Sequence, residues 1–256
     1  MPFARVKGAA IYYETGGGED GSRAVVYVHG AGGTAHIWKN QLGIRVPGYR
    51  QVAVELPGHG RSEGEGAKDI GVYRDFVRDF VETVFGAPVV LAGHSMGGAI
   101  AMSFALAYPE WLKGLILVGT GARLRVTPPI LEAALDPEKG ATLLRYAYSP
   151  KTPEEVRQEA EKEYGLTPVT VRYNDFLACD SFDVMGRIRE IRTPALVVCG
   201  EEDQMTPVKY ARYLEENIPG ARLALVPAAG HMVMWEQPEP LNRAIAGFLA
   251  ELAGRA

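Results

Sequence analysis

The ten residues Val89-Val90-Leu91-Ala92-Gly93-His94-Ser95-Met96-Gly97-Gly98 constrain the fold more than any other part of the chain. Their apolar run has the length of a buried strand, and a helical stretch, Gly98-Ala99-Ile100-Ala101-Met102, follows after only a tight corner. A residue on so sharp a corner is held at strained backbone angles, so its neighbours two before and two after must be almost free of side chain. Gly93 and Gly97 meet that demand, which leaves Ser95 on the corner. Its hydroxyl would project from a sheet edge beside the first N–H groups of a helix, where developing negative charge is favoured. Without that context the same residues would describe an ordinary turn with an incidental serine.

The rest of the chain supplies the context. Short strands are expected over 3–7 and 9–14, and apolar runs over 24–28, 51–55, 114–119, 195–199 and 222–226 have the character of strands covered on both faces. Between them, Ile70, Tyr73, Phe76, Val77, Phe80, Val81 and Val84 recur at intervals of three and four, which predicts a helix over 69–85. Thr206-Pro207 reads as N-cap and first residue of a helix ending near Asn217, and a last helix runs from about Pro240. Strands alternating with helices imply an α/β protein with a mainly parallel sheet between helical layers. One segment breaks the alternation. From about 122 to 190 there is no convincing buried strand, and Pro128, Pro129, Pro137, Pro150, Pro153 and Pro168 punctuate helical stretches. We therefore expect a core formed by 1–121 and 191–256, with 122–190 inserted as a helical lid.

Composition narrows the class of partner. A net charge of -4 offers no basic face to nucleic acid or anionic lipid. The first residues lack the apolar core of a signal peptide, and no stretch approaches the roughly 18 apolar residues of a membrane span. A cytoplasmic protein acting on small molecules, with no nucleic-acid or membrane partner, is expected. Cys179 and Cys199 are too few for a disulfide framework and read as reduced thiols.

A serine nucleophile needs a base, and the base needs an anion to hold its tautomer. Of the five histidines, His29 and His94 lie within glycine turns and His59 within Pro-Gly-His-Gly, where bracing a loop is the simpler role; His36 has no acid near it in sequence. His231 follows the strand over 222–226, and Asp203 follows the strand over 195–199. Both sit where open α/β sheets place their ligands, past the carboxyl ends of strands. Read alone, Asp203 would be one acid of a solvated loop beside Glu201 and Glu202, but the order Ser95, Asp203, His231 recurs in hydrolytic triads.

With these motifs the chain resembles the α/β-hydrolase family over almost its whole length. The matching stretches are His29-Gly30-Ala31-Gly32, Leu56-Pro57-Gly58-His59-Gly60-Arg61-Ser62, Gly93-His94-Ser95-Met96-Gly97-Gly98, Gly200-Glu201-Glu202-Asp203 with Pro207, and Gly230-His231. The resemblance implies Ser95 as nucleophile, His231 as general base and Asp203 as its orienting acid. It further implies an oxyanion hole from the backbone N–H groups of Ala31 and Met96, a cap over 122–190, and no cofactor or metal. Glu55 departs from the aspartate usual before Leu-Pro-Gly, which puts the bracing of that loop in question. Serine at the corner argues against the dehalogenase and epoxide-hydrolase branches.

The expected activity is hydrolysis of a small or medium carboxylic ester through an acyl-enzyme, with Trp38, Leu124, Met96, Met205 and Met232 offering apolar surface to the substrate. Lactone and carbon–carbon bond hydrolysis use the same triad and remain alternatives, as does a non-catalytic small-molecule-binding protein on the same fold. Arg123 and Arg125 are candidates for a substrate carboxylate, and Leu124, Leu143, Tyr146, Phe176 and Phe182 for the cap's share of the pocket wall. A competing pattern, Gly30-Ala31-Gly32-Gly33-Thr34-Ala35 with Glu55 beyond it, satisfies a dinucleotide-binding fingerprint. Gly43 and Pro47 break the crossover helix it would need, and that reading leaves the three candidate residues unexplained.

Overall fold

The computed structural model describes residues 3–18, 22–136 and 145–254. Eight strands form one sheet in the order β1-β2-β4-β3-β5-β6-β7-β8. They are β1 (Phe3–Val6), β2 (Ala9–Gly17), β3 (Arg23–Val28), β4 (Tyr49–Val54), β5 (Val89–His94), β6 (Leu112–Val118), β7 (Ala195–Gly200) and β8 (Arg222–Val226). β1 and β2 run antiparallel to their neighbours, and every pairing from β4 to β8 is parallel. Parallel strands covered on both faces alternate their side chains between two apolar layers. In β3, Val26 and Val28 enter one core while Val25 and Tyr27 enter the other. Each such fully buried aliphatic chain contributes about 1.5–3 kcal/mol over its exposed state.

The helices that matter to the site follow from local signals. After the short α1 (Lys39–Leu42), α2 spans Ile70–Phe85, starting where the Asp69 carboxylate accepts the Gly71 N–H and stopping at Gly86, which takes a left-handed φ of 57°. It buries Ile70, Tyr73, Val77, Phe80 and Val81, while Phe76 and Val84 lie at the margin. α3 spans Met96–Ala107 and so begins two residues before the expected Gly98. α7 (Val208–Asn217) is preceded by Pro207 rather than capped by Thr206, whose hydroxyl turns inward instead. α9 (Pro238–Gly254) follows the short α8 (Val233–Glu236) and covers the second core with Leu241, Ile245, Phe248 and Leu249.

Between β6 and β7 the chain leaves the sheet. α4 (Pro128–Ala134), α5 (Glu154–Gly165) and α6 (Val169–Ser181) lie in this excursion, and its two ends are pinned together by Val184 N–H to Ala122 O at 2.8 Å and Leu124 N–H to Phe182 O at 3.3 Å. Pro137 and Leu143 lie outside the described residues. The segment from 35 to 42 makes only the 3-10 turn Ala35–Trp38 and the four-residue α1, so no crossover helix follows the glycine loop as a dinucleotide site would require. Among the described residues no helix is long and apolar enough to cross a membrane.

Candidate active site

The corner at Ser95 has φ 52° and ψ -113°, a conformation a non-glycine residue adopts at a cost of about 1–3 kcal/mol. The corner is tight enough to exclude side chains two residues either side of it. A Cβ on Gly93 would fall 2.1 Å from the Gly97 carbonyl oxygen, and one on Gly97 would fall 2.3 Å from that of Val28. The Ser95 N–H donates to Val118 O at 3.0 Å, and the Thr120 hydroxyl donates to Ser95 O at 2.8 Å, so both backbone groups of the corner are tied to β6 and the loop after it.

Asp203 and His231, 28 residues apart in sequence, meet at 2.9 Å through Oδ2 and Nδ1. A carboxylate only accepts, so the Nδ1 of His231 carries a proton, which in the neutral ring leaves the lone pair on Nε2. Asp203 is saturated with donors: Thr206 Oγ1 reaches the same Oδ2 at 2.8 Å, and the N–H groups of Met205 and Thr206 reach Oδ1 at 2.9 and 2.8 Å. Burial alone would push this carboxyl up; the His231 ring and the Thr206 donors outweigh it and hold the group below the usual carboxylate range. His94 donates from Nε2 to the His231 carbonyl at 3.1 Å. Burial, reinforced by the neighbouring His231 ring, pushes the His94 pKa down to about 3 and keeps it neutral. Glu236 accepts the N–H groups of Gly230 and Met232, which fixes the loop on either side of His231.

The loop after β3 is organised by His29. Its Nδ1 donates to Gly30 O at 2.8 Å, its Nε2 accepts the Leu56 N–H at 3.1 Å, and the Gly33 N–H also donates to Gly30 O at 3.1 Å. Burial, then the adjacent His59, holds His29 well below the ordinary histidine range, in keeping with that neutral tautomer. In a trans peptide the carbonyl and the following N–H point opposite ways, so tying down Gly30 O turns the Ala31 N–H away from His29. Neither the Ala31 nor the Met96 N–H has a protein acceptor among the described residues. Ala31 lines the cavity together with Ser95, and Met96 follows Ser95 at the start of α3, so the two unpaired donors lie on either side of the serine, an arrangement able to receive an oxyanion.

The sequence profile described as "Alpha/beta hydrolase family" matches residues 25–244, most of the chain. The chain belongs to the alpha/beta hydrolase family. It is 30% identical over 262 residues to a 2-hydroxy-6-oxononadienedioate/2-hydroxy-6-oxononatrienedioate hydrolase of Burkholderia vietnamiensis, covering 93% of this chain and 90% of that one. Among solved structures it is 35% identical to a thermophilic esterase, with a TM-score of 0.87 and coverage of 98% and 97%. At 22% identity and a TM-score of 0.88, over 97% and 100% of the chains, it shares its fold with an enol-lactonase from Burkholderia xenovorans LB400.

Two cavities of this hydrolase meet at Ser95 and Ala31. The smaller, about 90 Å³, is walled by Ile37, Tyr148, Phe176, Met232, Trp235 and His231. The larger, about 490 Å³, is walled by Leu124, Arg125, Tyr146, Phe176, Met205 and Tyr210. Leu124, Met205 and Met232 each line a cavity, whereas Trp38 does not. Its ring is fully buried against Tyr27 at 4.9 Å in the second core, and the residue before it, Ile37, faces the cavity instead. Phe182 likewise packs in the core near Ala122 and lines neither cavity. Arg125 borders the larger cavity and donates to Asp180 O, while Arg123 is directed to Asp183 at 3.9 Å. Glu55 accepts the Arg61 N–H and side chain, so the glutamate does brace the loop, and the doubt raised by the missing aspartate falls away. Among the described residues no group of three His, Cys, Asp or Glu side chains is placed to hold a metal ion.

Sequence reasoning missed Thr206, Trp235 and Tyr148. Thr206 was hidden by the Thr-Pro capping pattern. Trp235 had no helical-periodicity signal, because His231 precedes α8 and no helical turn links the two.

Proposed function

We propose that this hydrolase cleaves carboxylic esters through an acyl-enzyme on Ser95. The Oγ attacks the ester carbonyl while its proton passes to Nε2 of His231. The oxyanion of the tetrahedral intermediate is met by the N–H groups of Ala31 and Met96, each such donor being worth about 10²–10³ in rate. Collapse expels the alcohol, which takes the proton back from His231. Water then gives a proton to His231, attacks the acyl carbon and releases the acid with Ser95 regenerated. Asp203 holds the His231 tautomer and offsets the positive charge the ring acquires. The observation that carries this reading is the strained serine flanked by two unpaired N–H groups, in one cavity with a histidine whose Nδ1 is held by a buried carboxylate.

The segment 122–190 acts as a cap and supplies walls to both cavities. The smaller cavity is apolar, and its one ionisable wall residue apart from the histidines and Tyr148 and Tyr164 is the acidic Glu163, which favours an uncharged, compact arm of the ester there. The larger cavity takes the bulkier arm. A second reading, cleavage of a lactone or of a carbon–carbon bond in a carboxylate-bearing substrate, is favoured by Arg125 at the larger cavity and by the name of the 30% identical relative. A panel of p-nitrophenyl esters, lactones and vinylogous diketones, assayed on wild type and Ser95→Ala, separates them. Ester turnover lost in Ser95→Ala supports the proposal; turnover of diketones alone replaces it with the second reading, and no turnover or labelling of Ser95 by any probe would leave a binding protein.

A further inference from the structure

Asp175, on α6 of the inserted segment, is fully buried, lines neither cavity and takes no part in the steps above. Its carboxylate is nevertheless saturated by the core. Oδ2 accepts the Gly32 N–H and His59 Nε2, both at 2.8 Å, and Oδ1 accepts the Tyr73 hydroxyl at 2.5 Å. Both ring nitrogens of His59 face acceptors, since Nδ1 lies 3.1 Å from Pro57 O, so the ring is a buried imidazolium paired with Asp175. Burial alone would lower its pKa; the Asp175 charge and hydrogen bond outweigh this and raise it.

Gly32 is the residue after Ala31. The peptide before Ala31 is held through its carbonyl by His29 and Gly33, and the peptide after it is held through its N–H by Asp175. The two anchors lie on opposite sides of one Cα and together fix the direction of the Ala31 N–H. Only one of them belongs to the core. The inserted segment also packs directly on this turn: a Cβ on Gly32, which has φ 67°, would fall 2.6 Å from the Tyr164 ring and 2.9 Å from Arg172.

We propose that Asp175 is a positioning residue through which the inserted segment aligns the oxyanion-binding N–H of Ala31, so that docking of the cap and competence of the site are coupled. This rests on the assignment of Ala31 as an oxyanion donor and adds to it the residue, remote in sequence and on another layer, that sets its direction. A carboxylate that served only to hold the cap down would give a different response to substitution, because Tyr73 shares the docking but not the contact with Gly32.

The test is the second-order rate of Ser95 labelling by a fluorophosphonate, whose transition state also places negative oxygen in the hole, read beside kcat, KM and Tm for p-nitrophenyl butyrate. Asp175→Ala removes the acceptor of Gly32 and should slow labelling and kcat together by about 10–100-fold, a fraction of what deleting a donor outright costs, with KM within about twofold. Asp175→Asn keeps an oxygen for Gly32 and should recover most of the rate. Tyr73→Phe should lower Tm but leave labelling within about twofold. If Asp175→Ala does not fold, the double variant Asp175→Leu with His59→Leu replaces the buried pair by apolar groups of similar size and should show the same slowing. Labelling that follows Tm across all these variants, or that is unchanged in folded protein lacking the Asp175 oxygen, overturns the proposal. Failure of the underlying assignment has another signature: wild-type Ser95 that is not labelled at all.

Discussion

Replacing Asp203 by asparagine should disable the site while leaving its shape intact. In the present arrangement Oδ1 accepts two backbone N–H groups and Oδ2 accepts from Thr206 Oγ1 and His231 Nδ1. An asparagine keeps its oxygen toward the two N–H groups, which are fixed donors, and so turns its NH2 toward His231. Nδ1 must then accept, the ring proton moves to Nε2, and the lone pair that would take the serine proton is gone. In serine proteases the equivalent change of tautomer costs about 10⁴ in kcat, which at about 1.4 kcal/mol per decade is roughly 5.5 kcal/mol of transition-state stabilisation. The assay is kcat and KM for p-nitrophenyl butyrate, with circular dichroism and Tm to show the protein folded. KM should hardly change, because neither cavity loses a wall residue. A loss below tenfold in folded protein would refute the argument, since His231 would then be finding its tautomer without Asp203.

Three further outcomes follow from the same geometry. Thr206→Val removes one donor to the buried Asp203 Oδ2; a hydrogen bond to a charged group is worth about 1.5–3 kcal/mol, so kcat should fall by about 10- to 150-fold, and an unchanged kcat would show the hydroxyl to be idle. The raised His59 pKa makes its contribution to stability full below the ordinary histidine value and progressively lost as pH rises through the folded value. Tm should therefore decline from neutral to alkaline pH, and His59→Gln should flatten that decline; Asp175, Tyr73, His29 and Glu55 are the ionisable groups that surround the ring. Phe176→Ala enlarges both cavities and should shift kcat/KM toward longer acyl chains while Ser95 stays reactive, whereas Phe182→Ala, in the core, should cost about 3–5 kcal/mol of stability and leave the chain-length ratio unchanged.

What was legible in advance was whatever a few consecutive residues dictate. The glycines around Ser95 are demanded by contacts of 2.1 and 2.3 Å within one corner, and such a demand is written locally. The parallel sheet was legible because buried strands have no polar face to confuse their apolar runs. Contacts made across the chain were not. His59 meets Asp175 at a separation of 116 residues, and nothing near either one announces the other. Thr206 satisfies a helix-capping pattern, but the buried Asp203 carboxylate claims its hydroxyl at 2.8 Å, and tertiary context overrides the local preference. Trp38 and Ile37 show the same limit at finer scale. Both are apolar and adjacent, and only the turn Ala35–Trp38 decides that the indole enters the core while the smaller side chain meets the cavity.

A covalent intermediate on Ser95 is most directly seen by mass spectrometry of the enzyme quenched in acid during turnover of a slow ester such as p-nitrophenyl pivalate. Protein heavier by one pivaloyl group is expected, with peptide mapping that places the addition on the segment containing Ser95, and neither acylation nor turnover in Ser95→Ala. Turnover with no acylated protein, or with the acyl group on another residue while Ser95→Ala remains active, would contradict an acyl-enzyme on Ser95.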